Sequence, residues 1–232
     1  MSFELETAAN RESLRRVAID PVSRVEGHGK VTLLLDEAGH VREARLHIVE
    51  FRGFEKFIQG RPYWEVPVMV QRLCGICPVS HHLAAAKALD PVVGALTLTP
   101  TAEKIRRLMH YGQILQSHAL HFFHLSSPDL LFGFESPVQQ RNIVGVAAAH
   151  PEVARQGVLL RKFGQEVIRI PAGKRVHGTG AVPGGVNKSL TAAERDTLLA
   201  DADQMIAWSR DAVHLARRLH ESDRALYDEF GL

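Results

Sequence analysis

The chain has 232 residues, 45% of them apolar, with 28 Lys and Arg against 26 Asp and Glu for a net charge of +2. That length is ample for a buried core, and near-neutral charge without a basic, aromatic-interleaved stripe excludes a nucleic-acid footprint. No apolar run reaches the ~18 residues of a membrane span, and the N-terminal MSFELETAANRESLRR lacks the apolar centre of a signal peptide, so a cytoplasmic setting is expected.

Residues 1–16 are expected to form a flexible arm and residues 17–50 a β region. Val17 to Ile19 is a short apolar run, and Lys30 to Asp36 (KVTLLLD) reads as a strand closed by a turn at Glu37 to His40. Val41 to Val49 alternates, with Ala44, Leu46 and Ile48 on one face and Glu43, Arg45 and His47 on the other. This is the pattern of a half-buried antiparallel hairpin. From residue 53 onward the period becomes helical: a short helix begins at Phe54, Phe57 and Ile58, and others are expected over Trp64–Leu73 and Ser80–Leu89. Pro67 is tolerable only near a first turn.

Thr99-Pro100 is a helix start, Thr as N-cap and Pro at the first helical position. That helix should run to about Leu125, with Ile105, Leu108, Met109, Ile114, Leu115 and Phe122 in the core. Pro151 opens another, to about Ile170, and the Gly- and Pro-rich 171–188 reads as a loop. Thr191 and Glu194 have capping-box spacing. Behind them Leu198, Ala202, Met205, Ser209, Ala212, Val213, Ala216 and Leu219 make an apolar stripe that needs a partner surface. The fold class expected is mainly α with a small N-terminal antiparallel β-sheet.

The only two cysteines, Cys74 and Cys77, stand in Arg72-Leu-Cys-Gly-Ile-Cys-Pro-Val-Ser-His81. Thiolates are soft donors, so a close pair suits a thiophilic transition metal. Four readings are open on spacing alone. A thioredoxin-like redox pair would sit between strand and helix, whereas the preceding VPVMVQRL reads as helix. A closed zinc site needs two more ligands at the right spacing. The others are two inert buried cysteines, or half of a larger metal site completed elsewhere. Gly75 lets the turn approach a bulky centre.

The stretch RLCGICPVSH matches R-x-C-G-x-C-x-x-x-H and resembles the N-terminal nickel–iron signature of [NiFe]-hydrogenase large subunits. Arg24 to His28 (RVEGH), Phe51 to Glu55 (FRGFE) and Pro183-Gly-Gly-Val186 after His177 resemble further family elements in the family's order. The resemblance covers roughly residues 17–190, and the wording is most similar to the cytoplasmic NAD-linked bidirectional branch. It implies the N-terminal half of a large-subunit domain over 17–232, with the family's long-helix bundle, and reversible oxidation of H₂ to protons and electrons. By resemblance Cys74 is a terminal thiolate on nickel, and Cys77 bridges nickel to an iron carrying CO and cyanide. Glu26 passes protons, Glu55 binds Mg²⁺ or a similar divalent cation, His81 orients a sulfur ligand, and Arg72 orders the loop or faces the small subunit.

The family takes two further cysteines from a C-terminal C-x-x-C, and this chain holds no cysteine after Cys77. The C-terminal half is therefore expected from outside these 232 residues, on another polypeptide or on a longer product of which this chain is a fragment, with the first preferred, so that the chain supplies two of four cysteine ligands. The implied partners are a small subunit with iron–sulfur clusters and diaphorase subunits carrying iron–sulfur clusters, FMN and NAD. The alternative is a non-catalytic relative, akin to the complex I large subunit, that docks an iron–sulfur subunit without nickel. His118, His121 and His124 follow i, i+3 spacing and read as packing or small-subunit contact.

Overall fold

The computed structural model describes residues 13–23, 25–50 and 53–229. It divides into two compact units, 1–57 and 58–232. The first holds an antiparallel three-stranded sheet in the order β1 (Arg15–Ile19), β2 (Gly29–Leu35), β3 (Val41–Ile48), followed by the short helix α1 (Phe54–Phe57). β1 takes in Arg15 and Arg16, two residues assigned to the arm on sequence grounds; the arm's residues 1–12 lie outside the described residues.

β2 is the central strand, pairing Val17 with Leu33 on one side and Leu33 with Ala44 on the other. The sequence placed Ala44, Leu46 and Ile48 on one face and Glu43, Arg45 and His47 on the other. The apolar face is the exposed one: Leu46 and Ile48 are 67% and 58% exposed, while Glu43, Arg45 and His47 are half-buried. Alternation defines two faces without saying which one packs, and the packed face is set by Thr32 and Leu34 of β2. The inward polar groups are satisfied within the sheet, His47 with the Thr32 hydroxyl at 3.0 Å and Arg45 with Glu43.

The second unit is helical. Its elements are α2 (Val66–Val70), α3 (Pro78–Leu89), α4 (Pro100–Leu120), α5 (Ser127–Phe132), α6 (Ile143–Ala149), α7 (Pro151–Ala172), the two-residue strands β4 (Ala181–Val182) and β5 (Gly185–Val186), α8 (Ala192–Ser222) and α9 (Arg224–Glu229). The starts follow their caps. The Thr99 hydroxyl accepts from the Ala102 amide, and Thr191 and Glu194 form a reciprocal capping box. α6 was not anticipated, although Asn142 caps it by accepting from Val144 and Gly145. α4 does not run on as regular helix to Leu125: after Leu120 the chain widens into a π-helical turn, His121–Ser126.

α4 and α7 carry the core. One cluster joins Ile105 and Met109 to Ile168, Ala172, Val79, Ala86 and Ala181; a second joins Ala119 and Phe123 to Leu160 and Met205. The two helices approach through glycine: a Cβ on Gly164 would stand 2.8 Å from the Gly112 carbonyl oxygen and the Gln116 amide, closer than real side chains come. Ile114, expected in the core, is 38% exposed. Of the α8 stripe only Met205 is buried, and Val213 is 68% exposed, so much of that stripe faces away from α7. The 171–188 segment is an ordered hairpin rather than a bare loop, and α7 extends through Pro171 into it.

Gly164→Ala is expected to destabilise the chain by about 1–3 kcal/mol through overpacking, beyond the helix-propensity gain of Ala. At roughly 2–4 °C per kcal/mol for a chain this size, thermal unfolding should show the melting temperature falling by several degrees. An unchanged or raised melting temperature would contradict the close approach.

Candidate metal centre

The loop that bears both cysteines is built by the end of one helix and the start of the next. α2 tightens into a 3₁₀ turn over Gln71–Leu73 and gives way to Cys74 in extended conformation (φ −144°, ψ 135°). Cys77 stands at the N-cap of α3, with Pro78 at the first helical position where its missing N–H costs nothing. The Ile76 and Cys77 amides donate to Cys74 Sγ at 3.3 and 3.2 Å. The backbone therefore fixes this sulfur's position and the direction in which its remaining lone pairs point. The cysteines form no disulfide, and both are half-buried.

Side chains far along the chain hold the loop from beneath. Gln113 and Gln116, one turn apart on α4 and 3% and 4% exposed, donate from Nε2 to the Ile76 carbonyl at 2.9 and 2.6 Å. His177, in left-handed conformation at φ 54°, donates from Nε2 to the Cys74 carbonyl at 3.3 Å. Two further polar groups brace the surroundings. The His82 ring is buried, donating from Nδ1 to the Pro67 carbonyl at 2.9 Å and accepting at Nε2 from the Ala181 amide at 3.0 Å. Those partners fix the neutral tautomer, and burial holds the pKa of His82 below the usual imidazole range.

Asp90 and Arg106 form a buried two-pronged pair at 2.7 and 2.9 Å. Arg106 also donates to the Val182 and Gly185 carbonyls, and the Gly184 amide donates to Asp90. The hydrogen bond from Arg106 holds the Asp90 carboxyl below the usual carboxylate range, burial opposing it. Every prong of this pair is used, the condition under which a buried pair tolerates its desolvation. It pins the β4–β5 hairpin, whose Pro183-Gly184-Gly185 turn needs Gly184 at φ 85°.

Of the residues singled out on sequence grounds, Cys74, Cys77, His81 and Arg72 lie together in the helical unit. His81 is half-buried one turn beyond Cys77, and Arg72 is exposed. Glu26, on the β1–β2 connection, and Glu55, on α1, belong to the N-terminal unit, and both are exposed. Arg24, Phe51 and Arg52 fall outside the described residues. Sequence reading missed Gln113, Gln116, His82, Asp90 and Arg106 and gave His177 no structural role. The available signal was polar residues at core positions of apolar helices, Arg106 and Gln113 beside Ile105, Met109 and Gly112.

The donor set suits a soft metal. Two thiols held at one helix start, one of them oriented by backbone amides, provide the sulfur ligation that nickel and iron prefer over oxygen-binding cations. Among the described residues no three or more His, Cys, Asp or Glu side chains cluster into a metal-binding group.

Comparison with known proteins points one way. Residues 16–51 match a family model described as HoxL-like, and residues 52–132 match one described as nickel-dependent hydrogenase. The chain is 51% identical over 227 residues to the NAD-reducing hydrogenase HoxS subunit beta of Cupriavidus necator, covering 93% of this chain and 46% of that protein. It is 49% identical over 206 residues to a subunit of the vhu F420-non-reducing hydrogenase of Methanocaldococcus jannaschii, covering 89% and 49%. The crystal structure of an NAD⁺-reducing [NiFe]-hydrogenase in its H₂-reduced state superposes with a TM-score of 0.90 at 65% identity, over 93% of this chain and 48% of that one. The reduced Ni-Fe-Se hydrogenase of D. vulgaris Hildenborough gives 0.77 at 28% identity, over 91% and 46%. The chain spans about half the length of the curated relatives it matches.

The His82 geometry makes stability depend on pH. With its folded pKa below the unfolded value of 6.5, the unfolded chain takes up a proton that the folded chain refuses as pH drops below 6.5. Stability is therefore complete above that pH and falls below it, with a slope of up to about 1.4 kcal/mol per pH unit. Urea unfolding at pH 7.5 and 5.5 should show a clear loss that is smaller in His82→Gln. A residual slope of the same sign is expected from His124, whose pKa burial also lowers. Equal slopes in the two proteins would show that His82 does not couple folding to pH.

Proposed function

The chain belongs to the nickel-dependent hydrogenase family, as the counterpart of the N-terminal half of the large subunit, and from that premise we propose that it supplies one side of a nickel–iron centre in an enzyme that interconverts H₂ with protons and electrons. The observation that carries this reading is the loop itself: two cysteine thiols at the start of α3, without a disulfide, one held by backbone amides and the whole loop clamped from α4. A pair of inert core cysteines calls for no such support, and a thioredoxin-like redox pair would follow a strand, whereas helix and a 3₁₀ turn precede Cys74. We read residues 17–232 as the N-terminal half of one large-subunit domain.

In the proposed assembly Cys74 would hold nickel through its thiolate and Cys77 would be a thiolate ligand to both nickel and iron, the iron being expected to carry CO and cyanide. The bound centre supplies a site at which H₂ is polarised and split heterolytically. This chain's residues do the rest of the local work. Cys74 is aimed by the Ile76 and Cys77 amides, and His81, one turn on, orients sulfur. Arg72 on the exposed side faces a partner. Glu26 carries protons between the site and solvent, a role open to a carboxylate that can both accept and donate a proton. Glu55 offers an oxygen ligand to a hard cation such as Mg²⁺.

The remaining two thiolates come from a C-terminal half. Electrons leave through the iron–sulfur clusters of a small subunit, then through diaphorase subunits with FMN to NAD(P). Among the described residues no helix is long and apolar enough to cross a membrane. From the NAD-reducing relative at 51% identity we assign the chain to the cytoplasm.

Two measurements test this. The complex purified with its neighbours should contain nickel and iron in stoichiometric amounts, and Cys77→Ser should remove both; an active, intact assembly without nickel would overturn the enzyme reading. Glu26→Gln should retain the metals and slow H₂/D⁺ exchange by about a hundredfold, the lower range for loss of a positioned proton-transfer group. Wild-type exchange in that variant would take Glu26 off the proton path.

A further inference from the structure

The Ile76–Cys77 peptide is gripped at both ends. Its carbonyl accepts from Gln113 and Gln116 at 2.9 and 2.6 Å, and its N–H, on Cys77, donates to Cys74 Sγ at 3.2 Å. A trans peptide is planar, with C=O and N–H pointing in opposite directions. Fixing the carbonyl towards α4 therefore aims the N–H away from it, at the sulfur. A carbonyl has two lone pairs, and both are used here. Two donors on one carbonyl also polarise the peptide and strengthen its N–H as a donor.

Stability does not explain this arrangement. Gln113 is 3% exposed, and its Oε1 is buried without a hydrogen-bond partner among the described residues. Such an atom costs free energy that a leucine at the same position would not. One donor would already satisfy the Ile76 carbonyl. The clamp nevertheless has a stiff base: Gly112, next to Gln113, and Gly164 bring α4 and α7 to backbone contact, so the glutamines cannot retreat.

We infer that Gln113 and Gln116 are positioning residues for the Cys74 sulfur, acting through the Ile76–Cys77 peptide to hold one thiolate of the metal centre in a fixed direction. The inference rests on the reading of Cys74 as a metal ligand, but the clamp is testable without metal. Position 113 keeps an amide whose oxygen is unpaired because the second donor sets the tilt of the peptide, and with it the N–H aimed at sulfur.

The test is amide hydrogen exchange on the metal-free 232-residue chain, read residue by residue by NMR. In the Gln113→Met/Gln116→Met double variant the Cys77 amide should exchange about tenfold faster relative to the Ala86 amide inside α3, the factor that one lost hydrogen bond carries; each single variant should show a smaller rise. Met205→Ala serves as the control, because it lowers stability at the second core cluster and leaves both glutamines and the Gly112–Gly164 contact unaltered. Its Cys77-to-Ala86 ratio should stay within about twofold of wild type. An unchanged ratio in the double variant, or an equal rise in Met205→Ala, overturns the clamp. Should the double variant fail to fold, the single variants carry the same comparison. Nickel content of the assembled complex judges the metal reading separately: a complex without nickel sinks that reading and leaves the exchange ratios standing, whereas an unchanged ratio removes the clamp whatever the nickel content.

Discussion

A single carbonyl, that of Ile76, ties the cysteine loop to the helical core. It lies between the two thiols in sequence and receives the side chains of Gln113 and Gln116, 37 and 40 residues further on. Without those bonds the loop would be a short turn between α2 and α3, stabilised mainly by its own amides on Cys74 Sγ. With them, its geometry is inherited from the contact of α4 with α7. The glycines at that contact serve the site at a distance: they let two long helices meet closely enough to present amides rather than hydrocarbon to the loop.

The same logic recurs in the polar groups around the loop. His82 joins the first turn of α2 to the hairpin strand β4, and Asp90 with Arg106 joins α3's end to α4 and to the β4–β5 turn. Each element that flanks the cysteines is thus held by a buried, directional bond to an element from another part of the chain. Apolar packing alone tolerates small slides, because dispersion contacts are non-directional. A buried hydrogen-bonded charge pair tolerates little displacement, since losing one partner leaves an uncompensated charge. The helical unit uses that intolerance to keep two sulfurs in place, a requirement for any metal centre whose ligands must stay within tenths of an ångström.

Apolar surface that is not covered has a pattern of its own. The β-sheet exposes Ile19, Leu46 and Ile48, and α8 exposes Leu199, Ile206 and Val213 at heptad spacing. Relatives about twice as long match over 93% of this chain, and in the proposed assembly these faces would meet the other half of the subunit. Ile114 on α4, beside the same groove as Val213, belongs to this class and explains why an apolar helical period misled the core assignment there.

Local chemistry alone settled a good deal. The Thr99 and Thr191 caps start α4 and α8 where the sequence places them, because a cap is satisfied within four residues of itself. The change from strand to helical period near residue 53 and the Cys74–Cys77 spacing were equally local, and the family wording around the cysteines was enough to point to the nickel-dependent hydrogenases. Tertiary structure alone decided which sheet face packs, since strand alternation is symmetric and inverting the face changes no local preference. It also decided that His82, Gln113, Gln116 and Arg106 support the loop. Their partners lie 15 to 99 residues away, and a polar side chain at a helical core position looks the same in sequence whether it is a defect or a clamp. Only the close approach of α4 and α7, set by the absence of side chains at Gly112 and Gly164, brings those donors to the carbonyls they serve.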